Sequence, residues 1–224
     1  ASIPDPEQVE VPDAQYRAVA TATRVPRTPR QLSASVSLLS ADDIAHSPSL
    51  MTDALLGSLP SFATFRRSSS LAADPSSQGV NLRALGPSGV SRALVLVHGV
   101  PANDPFGGFV YFRALPRLGL ERIEVVPSGA SALYGSAALG GVVELSSRRI
   151  TSTQAQGEAA YGSFGTVQLG LRTAQRLSHG GAALEAHLLI SEGYPVVAPE
   201  QRGPIGGAAP SSHGALHGTI ELEP

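Results

Sequence analysis

Three short β-type segments between positions 92 and 146, each with at least three Val, Leu or Ile residues, constrain the fold more than any other part of the chain. They are residues 92–97 (RALVLV), 121–126 (ERIEVV) and 142–146 (VVELS). Segments of this length, rich in Val, Leu and Ile, predict strands that are buried in a sheet. Glycine, proline and serine are frequent in the connections 98–108 and 127–141, which indicates tight loops between the strands.

Two blocks of this stretch resemble the second half of the plug domain of TonB-dependent outer-membrane receptors. Residues 94–108 are similar to the family pattern VLVDGVPxNDPFGG, and residues 120–145 are similar to IERIEVVRGPxSALYGSxAxGGVINI. The chain departs from the family at His98, where an acidic residue is usual. It departs again at residues 127–129, where Pro-Ser-Gly replaces Arg-Gly-Pro.

The N-terminal part extends the resemblance. Residues 19–23 and 33–39 alternate as β-type segments on either side of a proline-punctuated basic link. Plug domains open in a similar way, with TATRTPR followed by SVSVIS. Residues 61–78 are polar and predict a loop, and residues 78–85 resemble the xxxIRGLG strand of the plug.

Two short helices are expected between these strands. Ser40 as N-cap and Asp43 at the third helical position form a capping pattern, and Pro48 ends or kinks the turn that follows. A second helix is predicted over residues 50–59, before Pro60. Its apolar face consists of Met51, Leu55, Leu56 and Leu59.

After Arg149 the pattern changes to segments of about ten residues with two-residue periodicity, which is the signature of outer-membrane barrel strands. The segments are 156–165, 166–173, 182–191 and 213–222, and a Gly- and Pro-rich loop is expected at 194–212. YGSFGT at 161–166 resembles the first barrel strand of the receptors. The expected fold is therefore an α+β plug, a small mixed sheet with two short helices, followed by the first antiparallel strands of an incomplete transmembrane β-barrel.

The domain organisation follows from these segments. Residues 1–15 are expected to form a flexible arm, 16–150 the plug, and 151–224 the first three or four barrel strands. A transporter of this family needs about 22 strands of about ten residues each. The expectation is thus a fragment, a truncated product or one piece of a split receptor whose second chain supplies the rest of the barrel.

Composition excludes several kinds of site. The formal net charge of −2 gives no reason to expect nucleic-acid binding, and the absence of cysteine rules out disulfides and thiolate metal sites. His213 and His217 would lie on one face of a strand about 13 Å apart, too far for one metal ion. The histidines are therefore expected to be exposed and without a metal role.

Two enzymatic interpretations were weighed. Residues 96–99 (LVHG) resemble the oxyanion strand of α/β-hydrolases, but those enzymes need a Gly-x-Ser-x-Gly elbow, which the chain lacks. Residues 135–141 are glycine-rich but lack the Lys-Ser/Thr of a phosphate loop. No catalytic residue, metal or cofactor is expected.

The resemblance implies a function and its partners. The complete protein would bind a scarce nutrient outside the outer membrane, such as a siderophore–iron complex or cobalamin, and TonB with its inner-membrane energising complex would drive its import. The arm would lie in the periplasm. A plug-derived binding or signalling module in the periplasm that never transports is the alternative from a different class.

The resemblance also implies three groups of site residues. Apical plug loops face the ligand, which makes the loop residues Asn103, Asp104, Phe106 and Tyr111 candidate contacts, although this composition is also that of an ordinary turn. Strand addition to TonB makes few sequence demands, so a candidate TonB box in the arm competes with a disordered tail; it comprises Glu7, Gln8, Val9, Glu10 and Val11. Packing of the plug against the barrel is assigned to Arg122, Glu124, Tyr134, Gly135, Gly140 and Gly141.

Overall fold

A computed structural model describes residues 35–64, 69–72, 78–83, 92–127, 129–204 and 206–223. Within these residues the strands are β1 (Ser37–Ser40), β2 (Phe62–Thr64), β3 (Val80–Leu82), β4 (Ala93–Val97), β5 (Val100–Pro101), β6 (Leu120–Val126), β7 (Gly141–Ser147), β8 (Gln154–Gly162), β9 (Thr166–Leu177), β10 (Gly180–Ser191) and β11 (Ser211–Leu222). The helices are α1 (Ala41–His46), α2 (Thr52–Leu56) and α3 (Ser131–Tyr134), with 3₁₀ turns at Phe112–Ala114, Ser136–Ala138 and Pro199–Gln201. The predicted segment at 19–23 lies outside the described residues.

The first large sheet is mixed, in the order β1-β6-β7-β4-β5. Strands β4 and β7 are parallel, and the other neighbouring pairs are antiparallel. Its central strand β7 contains the predicted segment 142–146, and Val142, Val143 and Leu145 are fully buried there. Val142 and Val143 are neighbours and are buried on opposite faces of the sheet, whereas the rest of the segment alternates, with Leu145 buried and Glu144 and Ser146 partly exposed.

One face of this five-stranded sheet carries the larger core. Ile123 and Leu145 pack there with Leu56 of α2 and Phe112 of the first 3₁₀ turn. The opposite face carries a smaller cluster, in which Leu94, Leu96 and Val142 pack against α3 and the turn after it. The sheet is thus enclosed by short helices on both faces.

The helix prediction holds for α1 and overestimates α2. Ser40 is the N-cap of α1 and forms the predicted capping box with Asp43. Helix α2 spans Thr52–Leu56, because the Gly57 N–H bonds back to Asp53 and Leu55 and closes the helix early. No helix among the described residues is long and apolar enough to cross a membrane.

The loop prediction for residues 61–78 is wrong in part, because it contains β2. This strand pairs antiparallel with β3, with Phe62 opposite Leu82. A strand of three residues has too short a pattern to be seen in the sequence. Its partner supplies the hydrogen bonds that define it.

The second large sheet is antiparallel, in the order β11-β10-β9-β8, and confirms the periodic segments found after Arg149. Exposure alternates along its strands, with apolar side chains on one face and mostly polar ones on the other. The exposed apolar face is formed by residues such as Leu169, Leu171, Leu188, Ile190, Leu216 and Ile220. The other face includes buried Gln168, Arg172 and Glu185 and turns toward the five-stranded sheet.

Candidate functional site

The loop that follows β5 forms a small hairpin, which we call the hairpin tip (residues 103–110). Asn103 pairs with Val110 as an isolated antiparallel bridge, and the Asp104 N–H donates to the Phe109 carbonyl at 2.8 Å. All four predicted ligand-contact residues lie in or directly beside this tip. The structure therefore brings the four residues together, and their contacts divide them into two that hold the backbone and two that expose aromatic rings.

Two of these four residues hold the tip in shape. The Asn103 Oδ1 accepts the Val95 N–H at 2.7 Å, and its amide nitrogen donates to the carbonyls of Ala93 and Gly108. The Asp104 Oδ1 accepts two backbone N–H groups, from Phe106 and Gly107. The Asp104 bonds are typical of an Asx turn, so the turn interpretation describes Asp104, whereas Asn103 ties the tip to β4.

The other two residues present aromatic surface. Phe106 is fully exposed at the end of the tip, and Tyr111 is 46% exposed. Tyr111 packs edge-on against Phe109 with ring centroids 5.0 Å apart. An exposed aromatic ring on a braced hairpin is available to contact a partner without a change in the backbone.

The charged residues assigned to packing pair with each other. The Arg122 Nε lies 2.6 Å from the Glu124 Oε1, and the Glu124 side chain is fully buried. Glu124 stands opposite Glu144 in the β6–β7 register. The contact of this pair with barrel strands stays a prediction.

The remaining packing residues lie in or beside the smaller core of the five-stranded sheet. Tyr134 packs against that cluster, and Gly135 ends α3 with a positive φ. The Gly140 N–H donates to the Arg92 carbonyl. A Cβ on Gly141 would lie 2.3 Å from the Val126 carbonyl oxygen, so only glycine fits there. Their packing against a barrel also stays a prediction, and the candidate TonB box lies outside the described residues.

One buried carboxylate of the four-stranded sheet binds the turn that leads into the five-stranded sheet. Glu185 on β10 accepts the N–H groups of Arg117, Leu118 and Gly119 at 2.8, 3.0 and 2.9 Å. These three residues form the turn that leads into β6. Glu185 is 5% exposed, so its charge is compensated by neighbouring groups and not by bulk water.

Further polar contacts join the sheets around this carboxylate. The Arg117 guanidinium lies 3.3 Å from Glu158 on β8. At the junction between the sheets, the Ile150 N–H donates to Glu221 on β11 at 2.9 Å. Sequence analysis did not assign Glu158 or Glu185, although both are charged residues at positions whose alternation places them on the less exposed face of the sheet. A charged side chain on an inward face needs a compensating partner. The charge itself was therefore the signal by which the sequence pointed to these two residues.

The expectation that His213 and His217 are exposed is wrong. Both lie half-buried on β11, with the His187 ring 5.8 Å from one and 6.2 Å from the other. His187 is fixed by the Arg113 carbonyl, 2.7 Å from its Nε2. Within the described part of the chain, no group of three His, Cys, Asp or Glu side chains is placed to hold a metal ion.

His98 and Glu144 lie together where β4 ends beside β7. His98 is exposed and adopts a positive φ, and its Nε2 contacts the Ser147 Oγ at the end of β7. The Glu144 Oε1 accepts the Gly99 N–H at 2.9 Å. Burial raises the pKa of the Glu144 carboxyl, and the charge of Glu124 raises it further, whereas the Gly99 bond opposes both.

Comparison with known proteins identifies this architecture. The sequence model of the family described as TonB-dependent Receptor Plug Domain matches residues 28–142, which is half of the chain. The vitamin B12 transporter BtuB of Photobacterium profundum is 38% identical over 93 residues, covering 39% of this chain and 15% of that protein. The match therefore spans only a small part of the relative's length.

Solved structures agree in fold. The pyoverdine outer-membrane receptor FpvA of Pseudomonas aeruginosa, bound to pyoverdine, superposes with a TM-score of 0.61 at 17% identity, covering 81% of this chain and 26% of that one. The siderophore receptor PirA of Acinetobacter baumannii gives a TM-score of 0.55 at 19% identity, covering 77% and 27%. The chain thus spans about a quarter of these receptors, and it shares the fold of that quarter.

Replacing Glu144 with glutamine is expected to raise the thermal unfolding midpoint at neutral pH. Because the folded-state pKa of Glu144 lies above its ordinary value of 4.5, ionisation costs stability as the pH rises from 4.5 through the folded-state pKa. Glutamine keeps an oxygen for the Gly99 N–H and carries no charge beside Glu124. The measurement is the unfolding midpoint of both proteins from below pH 4.5 to neutral pH.

The control is Glu200→Gln, in an exposed turn, which should not change the pH profile. The gain from Glu144→Gln should disappear below pH 4.5, where the unfolded wild-type side chain is also protonated. A variant that is less stable than the wild type at neutral pH, or equally stabilised at all pH values, would contradict this account.

Proposed function

The chain belongs to the family of TonB-dependent receptor plug domains, and from that premise we propose that it forms the plug and first barrel strands of an outer-membrane receptor that imports a scarce nutrient. Residues 16–150 form the plug, and residues 151–224 form the strands. A siderophore–iron complex or cobalamin is the proposed ligand class, because a relative is a vitamin B12 transporter and a structural neighbour binds pyoverdine. TonB is the proposed energy-coupling partner.

The observation that carries this proposal is the two-sided character of the four-stranded sheet. On one face, large apolar side chains such as Leu169, Leu171 and Ile190 are exposed to about half of their surface. On the other face, Glu185 binds the five-stranded sheet. Apolar residues outside and a polar face toward an enclosed plug are the arrangement of a plugged barrel in lipid. The proposed location is therefore the outer membrane, with the N-terminal arm in the periplasm.

Cell fractionation tests the proposal. An antibody against residues 102–112 is expected to detect the chain in the outer-membrane fraction of the source cells. A band larger than that of the 224-residue chain would identify it as part of a longer receptor. A band of its own size that co-purifies with a second outer-membrane chain would identify a split receptor. Recovery in the soluble periplasm would overturn the import proposal and favour the binding-module alternative.

The hairpin tip is the proposed ligand contact, through Phe106 and Tyr111. Truncation of either ring to alanine is expected to lower ligand affinity about tenfold, because exposed aromatic side chains commonly dominate binding. The measurement is equilibrium binding of cyanocobalamin and of a ferric siderophore to the chain at the length the cell makes. Phe106→Ala should leave the unfolding midpoint unchanged, since that ring is fully exposed, whereas Tyr111→Ala also loses the contact with Phe109 and should lower the midpoint slightly.

Two variants separate contact from bracing. Leu139→Ala removes a side chain that is 53% exposed elsewhere in the plug, and should leave affinity unchanged. Asn103→Ala removes the bonds to Val95, Ala93 and Gly108, and should reduce both affinity and stability. Normal affinity in both Phe106→Ala and Tyr111→Ala, for a ligand that the wild type binds, would remove the tip from the binding site.

Residues 7–11 are the proposed TonB box, and a proline there tests it. Strand addition uses main-chain N–H groups, so Val9→Pro removes a donor and is expected to abolish site-specific cross-linking to TonB in cells. Ligand binding should remain unchanged. Ser2→Pro, outside the segment, is the control. Cross-linking of Val9→Pro at the wild-type level would place the TonB contact elsewhere.

A further inference from the structure

We propose that Glu185 is a latch that fixes the plug to the barrel strands, and that its bonds to the backbone at residues 117–119, more than the Arg117–Glu158 ion pair, set the position of the plug. The proposal rests on the proposed function for its role in import. The contact itself stands on geometry alone.

The backbone turn forms an anion-binding nest. Three consecutive N–H groups converge on one carboxylate, two on its Oε1 and one on its Oε2. Successive N–H groups in a turn create a concave positive site for an anion, and bonds to an ionised acceptor are stronger than those between neutral groups. Here the anion belongs to a strand 66 to 68 residues further along the chain.

The surroundings of the nest keep water out. Arg172 lies directly opposite Glu185 in the β9–β10 register and is 4% exposed. A Cβ on Gly119 would lie 2.7 Å from the Arg172 Nε and 3.1 Å from the Glu185 Oε2. Glycine therefore allows the backbone to approach the carboxylate closely. The charge of Arg172 offsets that of Glu185 on the same sheet.

The nest is connected to the centre of the plug. Residue 120 begins β6, directly after the nest. The Gly119 carbonyl accepts the Arg148 N–H at 2.8 Å, just beyond the end of β7. Movement of residues 117–119 away from Glu185 would therefore displace both β6 and β7. During an import step that rearranges the plug, the bonds between Glu185 and residues 117–119 must break before this turn can separate from the barrel strands.

The neighbouring ion pair is a weaker candidate for the same role. Arg117 and Glu158 are 16% and 30% exposed at their side chains, so water and salt screen their attraction. Glu158 also accepts a bond from Gln168 on β9. This difference in exposure provides a test, because a buried nest should respond little to ionic strength.

The test is hydrogen exchange at the amides of Arg117, Leu118 and Gly119, in the chain at the length the cell makes, in detergent micelles. Glu185→Gln is expected to accelerate exchange by about tenfold or more. The NH2 group that replaces one carboxylate oxygen cannot accept a hydrogen bond, so the backbone N–H groups that bonded to that oxygen lose their acceptor. Glu185→Asp keeps the charge beside Arg172 but shortens the side chain, and should accelerate exchange to a smaller degree. Amides of β6 and β7 report whether each variant is folded.

Glu158→Gln is the matched control, since it removes the ion pair and leaves the nest, and it should not change exchange at residues 117–119. In the wild type, raising NaCl from about 0.1 to 1 M should also leave these rates unchanged. Equal acceleration by Glu158→Gln, or faster wild-type exchange in high salt, would overturn the proposal. So would wild-type rates in folded Glu185→Gln. The salt measurement needs no variant, and none of these outcomes depends on whether the receptor imports a nutrient.

Discussion

The first half of strand β7, residues 141–143, is buried on both faces of the sheet, and the arrangement of the plug depends on that burial. A strand without a solvent face needs apolar partners on two sides. Val143 and Leu145 take them from the larger core, and Val142 from the smaller one beside α3. The glycine that begins β7 follows from the same demand, since Gly141 lets the chain enter the sheet against the Val126 carbonyl. The loops of the plug are therefore shaped by the need to cover one central strand.

Most of the fold was predictable because burial leaves a compositional trace. Short segments rich in Val, Leu and Ile gave the central strands, and two-residue alternation gave the four-stranded sheet, as confirmed by β4, β6 and β7 and by β8–β11. The capping box of α1 is a local pattern and was found for that reason. The three-residue β2 was missed because its structure comes from pairing with β3, which no local pattern records.

The candidate site was less predictable, because its chemistry is divided between side chains and backbone. The sequence led to the hairpin tip, yet nothing in it distinguishes the bracing role of Asn103 from the exposure of Phe106. The partners of Glu185 are peptide N–H groups, which any residue except proline supplies. Sequence reasoning can mark Glu185 as a charge on an inward face, but only the fold identifies what compensates it.

The tip and the latch belong to one short segment, residues 103–119. Its first part is the braced hairpin, and its middle contacts β10 where His187 meets the Arg113 carbonyl. Arg113 is held in turn by its bonds to the carbonyls of Ser70 and Leu71. The end of the segment is the nest around Glu185. A few residues therefore join the hairpin tip, which is proposed to meet the ligand, to the turn that Glu185 holds. These residues are fixed at Arg113 and at the nest. A shift at the tip and the strength of the latch thus act on the same stretch of backbone.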